Sequence, residues 1–186
     1  MIRLARSIGL TLIMGACAQV RATPEGPGAT PPSFPGDWIG SWEGAVHTAT
    51  PGGALTPRFQ MKRIVAATDD PGVYTWTTIY SGDAGDQTRN YLLIERDAAT
   101  GQYAIDEQNG IVLEATLLGD SLYSWFEVQG TRLLVRERLQ AGPDGAPGWS
   151  FEILTSGGEP GQTGDQITVE VLPVTGLQRA WLRRVD

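Results

Sequence analysis

An all-β fold of about ten antiparallel strands is predicted by three features of the sequence. Glycine and proline are frequent, with 24 and 12 residues among 186, and only 19% of the residues are charged. No segment carries a sustained helical stripe, whereas short stretches of alternating apolar and polar residues recur along the chain. Turn-forming residues separate these stretches at intervals of about 8 to 12 residues, as in sandwiches and barrels. Composition and spacing therefore indicate short strands joined by many turns.

Candidate strands follow one another from Trp38 onward, and most of the turns between them are short. Asn109-Gly110 is the strongest two-residue hairpin signal, because both positions need positive φ, and Gly119-Asp120 and Gln129-Gly130 are further tight connections. Links this short leave no room for a crossover helix, so neighbouring strands must be antiparallel. The predicted strands span residues 39–48, 58–66, 73–80, 89–96, 102–107, 111–118, 122–128, 131–139, 149–155, 167–172 and 177–185.

The parity of apolar residues assigns a core face to these strands. Trp149, Phe151 and Ile153 are separated by Ser150 and Glu152, which is the alternation of a half-buried strand. A helix-free antiparallel domain with this number of strands has two solutions, a closed up-and-down barrel or a two-sheet sandwich.

The charge of the chain excludes one class of partner. Acidic residues outnumber basic ones by 21 to 14, and the formal net charge is −7. Such a surface repels phosphate backbones, so no nucleic-acid partner is predicted. One cysteine and one histidine cannot form an intrachain disulfide or build a zinc site, and neither a metal nor a cofactor is predicted.

Residues 1–16 have the parts of an export signal. Arg3 and Arg6 precede an apolar stretch, residues 8–14, which is too short to span about 30 Å of hydrocarbon. The following Met14-Gly15-Ala16-Cys17 resembles the lipobox of bacterial lipoproteins. That resemblance implies acylation of Cys17 and a lipid anchor in a bacterial membrane, with the protein facing the periplasm. Cleavage after Ala18, which satisfies the small-x-small rule, is the alternative and releases a soluble protein.

A proline-rich tether is predicted to join this anchor to the folded domain. Residues 17–36 contain five prolines and almost nothing apolar, so they cannot fold alone and stay extended at about 3 Å per residue. Residues 37–186 then form a single β domain.

A resemblance to a known family begins at Gly40-Ser41-Trp42. A Gly-x-Trp at the head of an antiparallel domain of about 150 residues resembles the calycins, which include the lipocalins and the fatty-acid-binding proteins. The resemblance implies a single up-and-down barrel in which Trp42 closes one end and an arginine of the last strand, Arg183, lies over it. It also implies that the barrel binds a small apolar or amphipathic ligand.

Seven side chains are candidates for the wall of a ligand pocket. Tyr74 and Trp76 share one face of the third predicted strand, where inward aromatic rings suit a flat or apolar ligand. Glu107 and Glu137 share the parity of apolar neighbours, and Arg89 could neutralise a carboxylate that burial would otherwise give a raised pKa. Alternatively, the aromatic residues fill the core and the charged ones lie at strand ends. The full set is Tyr74, Trp76, Arg89, Tyr91, Glu107, Phe126 and Glu137.

No catalytic residue is assigned. Gly119-Asp120-Ser121-Leu122 matches the nucleophile block of the GDSL esterases, but those enzymes are α/β proteins with a histidine near the C-terminus. The only histidine here is His47, so the block is interpreted as a hairpin turn. His47 could also serve as an axial haem ligand, but an ordinary strand residue is the favoured interpretation.

The preferred functional hypothesis is a lipid-anchored envelope barrel that binds or carries a small apolar or amphipathic molecule. Because a fold does not determine a function, two alternatives stay open. In the first, the barrel is filled and the protein is an interaction or scaffold lipoprotein. In the second, it is a barrel enzyme of the isomerase or hydratase type that uses Glu107 with Arg89 or Tyr91.

Overall fold

The structure is a computed structural model that describes residues 32–83, 85–142 and 144–185. Its strands are β1 (Gly40–Ala49), β2 (Thr56–Ala67), β3 (Val73–Gly82), β4 (Gly85–Asp97), β5 (Gln102–Asp106), β6 (Val112–Leu118), β7 (Ser121–Val128), β8 (Thr131–Ala141), β9 (Pro147–Ser156), β10 (Gly161–Thr163), β11 (Val169–Val171) and β12 (Val174–Arg184). Ten of them form one closed antiparallel barrel, in which β12 pairs with β1. The predicted all-β up-and-down barrel is confirmed, and the two-sheet sandwich is excluded.

The connection between β9 and β12 carries a second, small sheet. There β10 pairs with β11 in an antiparallel ribbon of three residue pairs, separate from the barrel. The strand predicted at 167–172 is therefore shorter than expected and contributes nothing to the closed sheet.

Two of the three predicted tight turns are confirmed. Gln129 and Gly130 have φ values of 50° and 76°, and Gly119 has a φ of 63° in the two-residue link before β7. The hairpin predicted at Asn109-Gly110 joins β5 to β6, but the two-residue turn predicted for it was wrong. The turn is longer, and its left-handed residues are Gln108 and Gly110. The Asn109 side chain accepts a hydrogen bond from the backbone N–H of Ile111 at 3.0 Å.

The two ends of the barrel differ. The start of β1, the end of β12 and a short 3₁₀ helix, Gly36–Trp38, meet at one end, which we call the closed end. The connections β1–β2, β3–β4, β5–β6, β7–β8 and β9–β12 lie at the other, the open end. Antiparallel order fixes this division, since every second connection returns to the same end.

Packing of the chain begins ahead of the predicted domain boundary at residue 37. Phe34, which falls in the predicted tether, packs against the buried core, and Pro35 is buried. The predicted signal peptide (1–16), Cys17 and the tether up to residue 31 lie outside the described residues. Among the described residues, no helix has the length and apolar character needed to cross a membrane.

Candidate functional site

An aromatic cluster fills the closed end of the barrel. Trp38, Trp42, Trp76 and Trp149 are each at most 1% exposed. The ring centroid of Trp38 lies 4.6 Å from that of Trp149 and 6.2 Å from that of Trp76. Phe34 meets Trp38 edge-on, with centroids 4.9 Å apart. Edge-to-face contacts at these distances are favourable for aromatic pairs, and rings packed this closely occupy the interior at this end.

Trp42 connects this cluster to the segment before β1 and to the last strand. Gly40, two residues before it, has a φ of 136°, a conformation that favours glycine. The indole N–H of Trp42 donates to the carbonyl of Trp38 at 3.0 Å. The guanidinium of Arg184 lies 4.9 Å from the Trp42 ring centroid and donates a hydrogen bond to the carbonyl of Ile39.

The arginine over Trp42 is therefore Arg184 and not the predicted Arg183. Leu182 is fully buried, so the inward parity of β12 continues to Arg184 and leaves Arg183 on the outer face. Arg183 is exposed and forms an ion pair with Asp144.

A buried ion pair lies above the aromatic cluster. Nη2 of Arg63 is 3.2 Å from Oε1 of Glu137, and the two side chains are only 5% and 8% exposed. The indole N–H of Trp149 donates to Oε2 of Glu137 at 2.8 Å. The Arg63 guanidinium also lies over the rings of Trp76 and Trp149, at 4.9 and 5.4 Å from their centroids. Its Nε is buried without a hydrogen-bond partner.

The electrostatics of this pair reflect competing effects on Glu137. Burial raises the pKa of the Glu137 carboxyl, whereas the Arg63 guanidinium and the Trp149 N–H lower it. Tyr80 lies close enough for its hydroxyl to respond to the same charges. Burial is the main cause of its raised pKa, with Arg63 acting in the opposite direction. Arg63, Glu137 and Tyr80 thus form a polar layer across the middle of the barrel.

The open half of the interior has a different lining. By parity with buried neighbours, Leu113, Phe126, Val135 and Ile153 face inward, yet all four are only half-buried. Inward apolar side chains that keep contact with solvent border open space. A cavity of about 740 Å³ opens at this end, lined in part by the inward-facing Phe59, Tyr80 and Gln178. Its remaining wall comes from Arg58 and from residues 81–83 and 85–87 of the β3–β4 hairpin.

A second polar group lies at the mouth of the barrel. Extension of the β4–β5 register brings Glu107 opposite Tyr91. Burial is the main cause of the raised pKa of Tyr91, and the nearby charge of Glu107 acts in the same direction. Glu107 also accepts a hydrogen bond from the Asn109 side chain at 3.3 Å, which ties it to the turn. Arg89 is exposed, and its positive charge partly offsets the rise in the pKa of Tyr91 and Tyr80.

The structure divides the seven predicted pocket residues into three groups. Trp76 packs in the closed-end cluster, and Tyr74 packs against the core near Tyr103. Glu137 faces inward in the polar layer, but its cation is Arg63, whereas Arg89 lies at the mouth. The remaining residues of the set line or border the open half: Arg89, Tyr91, Glu107 and Phe126.

Sequence analysis missed Arg63 and Trp38. A signal existed for Arg63, since it alternates with Met61 and Val65 and so shares their inward parity. Trp38 lies ahead of the first strand in a 3₁₀ helix, where strand parity does not apply.

Ser121 belongs to a hairpin, as the sequence indicated. Its hydroxyl lies 2.9 Å from Oδ1 of Asp120 and accepts from the Arg136 guanidinium at 3.3 Å, while Arg138 pairs with Asp120 at 2.5 Å. Ser121 is 1% exposed and its hydroxyl donates to a carboxylate that Arg138 neutralises, which is the arrangement of a turn and not of an exposed nucleophile beside a histidine.

His47 lies on the outer face of the barrel. It lies beside a register shift in the β1–β2 pairing, where β2 has the extra residue, and lines a groove of about 510 Å³ together with Leu55, Trp181 and Arg136. Within residues 32–83, 85–142 and 144–185, no group of three or more His, Cys, Asp or Glu side chains is placed to hold a metal ion.

Comparisons with known proteins add no family assignment. No protein-family model matches the chain, and no curated protein matches it.

Proposed function

We propose that this protein is an envelope-associated barrel of the calycin type that binds a small apolar or amphipathic molecule in the open half of its interior. The observation that carries the proposal is the asymmetry of the barrel. One end is packed with tryptophan rings, whereas the inward-facing apolar side chains of the other half are only half-buried. A cavity of about 740 Å³ lies at that same end, beside the β3–β4 hairpin. The aromatic rings of Phe59 and Tyr80 and polar groups such as Gln178 give this concave site both kinds of contact that an amphipathic molecule needs.

The lining suggests how a ligand is oriented. Leu113, Phe126, Val135 and Ile153 offer apolar contacts in the upper wall. Polar groups occur below them, in the Arg63 and Glu137 layer, and above them at the mouth, where Tyr91 and Glu107 interact. We expect an apolar body between these levels and a polar group at one of them.

The anchor is a second part of the proposal. The lipobox-like sequence that ends at Cys17 supports acylation of this residue and attachment to a bacterial membrane. Metabolic labelling with a radioactive fatty acid tests it: the full chain should incorporate label, and Cys17→Ser should not. Label retained by Cys17→Ser, or a mature protein that begins after Ala18, contradicts the anchor without affecting the binding proposal.

Ligand binding is tested with a blocked barrel. Val135 faces inward on β8 and its neighbour Leu134 faces outward, so Val135→Trp fills the open half and Leu134→Trp adds the same bulk outside. The full chain should bind the uncharged dye N-phenyl-1-naphthylamine, with binding lost in Val135→Trp and kept in Leu134→Trp. Equal binding by the two variants would exclude the interior as the site.

Native mass spectrometry identifies the natural ligand. The full chain purified from its own host should carry a small molecule that is absent from Val135→Trp. A clean apo mass together with no dye uptake favours the alternative function, an interaction lipoprotein that works through its surface.

The position of Tyr91 opposite Glu107 at the mouth favours an enzyme as the second candidate. Incubation of the co-purified molecule with the full chain and with Glu107→Gln separates the two functions. A mass or retention change produced only by the unmodified chain indicates turnover, whereas an unchanged molecule in both samples leaves binding alone.

A further inference from the structure

Exposed apolar side chains are concentrated at the open end of the barrel. Eleven large apolar side chains are exposed among the described residues, and nine of them lie in or beside the open-end connections or on the open half of β7. The two at the closed end are Leu118 and Val185. The open-end set, which we call the apolar rim, is Leu55, Ile111, Val112, Trp125, Val128, Ile167, Val169, Val171 and Val174.

The apolar rim continues down the outer wall of the barrel. Trp125 is 71% exposed and pairs in register with Leu134, which pairs with Leu154. Leu154 pairs in turn with Leu177. By parity all four side chains face outward, so an apolar band crosses β7, β8, β9 and β12 next to the mouth. Isolated surface apolar residues are normal, but the concentration of exposed apolar residues at one end of the barrel marks an interaction site.

We propose that the open end docks on a lipid bilayer whose surface is poor in anionic headgroups. The rim residues sit on separate connections around an opening, a discontinuous shape to which a fluid surface conforms more readily than a rigid protein. Trp125 has the amphipathic ring that is enriched at membrane interfaces. A bilayer is also the reservoir from which an apolar ligand enters such a mouth, so this inference rests on the proposed function.

The charges at the open end determine which bilayer fits. Acidic side chains there outnumber basic ones, and an anionic leaflet would repel such an end. Zwitterionic lipid gives the rim apolar contact without this repulsion. The charged residues in the open-end connections and in the three strand residues next to each are Asp83, Asp86, Asp106, Glu107, Glu114, Glu127, Glu159, Asp165 and Glu170 against Arg58 and Arg132.

Trp125 provides a direct test, because Trp38, Trp42, Trp76 and Trp149 are at most 1% exposed. The sixth tryptophan, Trp181, is half-buried and lies near the closed end, away from the apolar rim. The full chain is mixed with vesicles of phosphatidylcholine whose acyl chains carry bromine, which quenches tryptophan only on contact. Emission should be quenched in the unmodified chain, and this quenching should be lost in Trp125→Phe. Replacing half of the lipid with brominated phosphatidylglycerol should reduce quenching, most strongly at low salt, where repulsion is least screened.

The matched control moves the reporter to the closed end. Leu118 is 61% exposed there, so Leu118→Trp in the Trp125→Phe background places an exposed indole at the opposite end of the barrel. This variant should stay unquenched. Because quenching requires contact with acyl chains, the readout holds whether or not Cys17 is acylated.

Three results would overturn the inference. They are quenching that survives in Trp125→Phe, quenching of the Leu118→Trp reporter equal to that of Trp125, and self-association that shields Trp125 in the absence of lipid. Dye uptake from buffer is measured on the same samples. Uptake without quenching rejects the docking alone, and the loss of both rejects the ligand site as well.

Discussion

Arg63 and Glu137 form an ion pair inside the barrel, with Nη2 3.2 Å from Oε1 and both side chains almost completely buried. The pair separates the tryptophan-filled closed end from the half-buried apolar wall of the open end. It also limits how deeply a ligand can enter, since displacing either side chain leaves the other as an uncompensated buried charge.

Arg63→Met should lower the free energy of unfolding at pH 8 by about 3–5 kcal/mol, because Glu137 then keeps a buried charge without its cation. Burial raises the pKa of Glu137, and removal of Arg63 takes away the main opposing effect. A carboxyl whose folded-state pKa is raised contributes stability below its unfolded pKa and loses it as pH rises through the folded value. The stability lost in Arg63→Met, measured by urea denaturation, should therefore be smaller at pH 5 than at pH 8.

Lys62→Met is the matched control for this prediction. Lys62 is the preceding residue on β2, faces outward and pairs with Glu43 at 2.7 Å while 36% exposed. Its removal should cost less than about 1 kcal/mol at either pH. The double variant Arg63→Met with Glu137→Met should recover most of the lost stability. An equal cost for Lys62→Met and Arg63→Met contradicts the role of the buried pair.

Trp38→Ala should destabilise the barrel by about 3–5 kcal/mol, the usual cost of deleting a large buried aromatic side chain. Trp38 is 1% exposed and contacts Trp149 and Phe34. Loss of the ring also opens the closed end, so acrylamide should quench the remaining tryptophans more strongly. Trp125→Ala, which removes the same ring from a 71% exposed position, should stay within about 0.5 kcal/mol of the unmodified protein. Similar costs for the two substitutions would refute the closing role of Trp38.

Trp38 also shows where prediction from sequence stops. The strands and their directions follow from local alternation and short turns, and Gly40 and Trp42 were visible as a motif. The closure of one end depends on a 3₁₀ helix that packs into the barrel only after the barrel exists. Nothing local to residues 34–38 indicates that contact.

The last strand illustrates a second limit. Trp181 and Arg183 occupy one face of β12, and Leu182 and Arg184 the other, so each face offers one apolar residue and one arginine. A shift of one residue reverses the assignment, and only the pairing with β1 and β9 selects the face. The inward position of Arg63 could be predicted from strand parity. Its pairing with Glu137 could not, because Glu137 lies 74 residues away in sequence.

Arg184→Met should destabilise the protein more than Arg183→Met does. Arg184 lies over Trp42 and donates to the Ile39 carbonyl. Together a cation–π contact and a charged hydrogen bond are worth about 1–3 kcal/mol. Arg183 pairs with Asp144 at an exposed site, where ion pairs contribute little. Thermal unfolding of the two variants measures the difference. A greater loss of stability in Arg183→Met than in Arg184→Met would contradict the closing role of Arg184.

Tyr80→Phe should flatten the fall in stability at alkaline pH. Burial raises the pKa of the Tyr80 hydroxyl above its ordinary value of 10.0, because the interior disfavours the phenolate. A raised folded-state pKa means that the stability contributed by the neutral hydroxyl is complete below the unfolded pKa and is lost as pH rises through the folded one. Denaturation from pH 8 to pH 11 should therefore show a steeper decline in the unmodified protein than in Tyr80→Phe. Tyr123→Phe, on the outer face of β7, is the matched control. If Tyr123→Phe changes the profile as much as Tyr80→Phe does, the hydroxyl of Tyr80 is not enclosed by the polar layer.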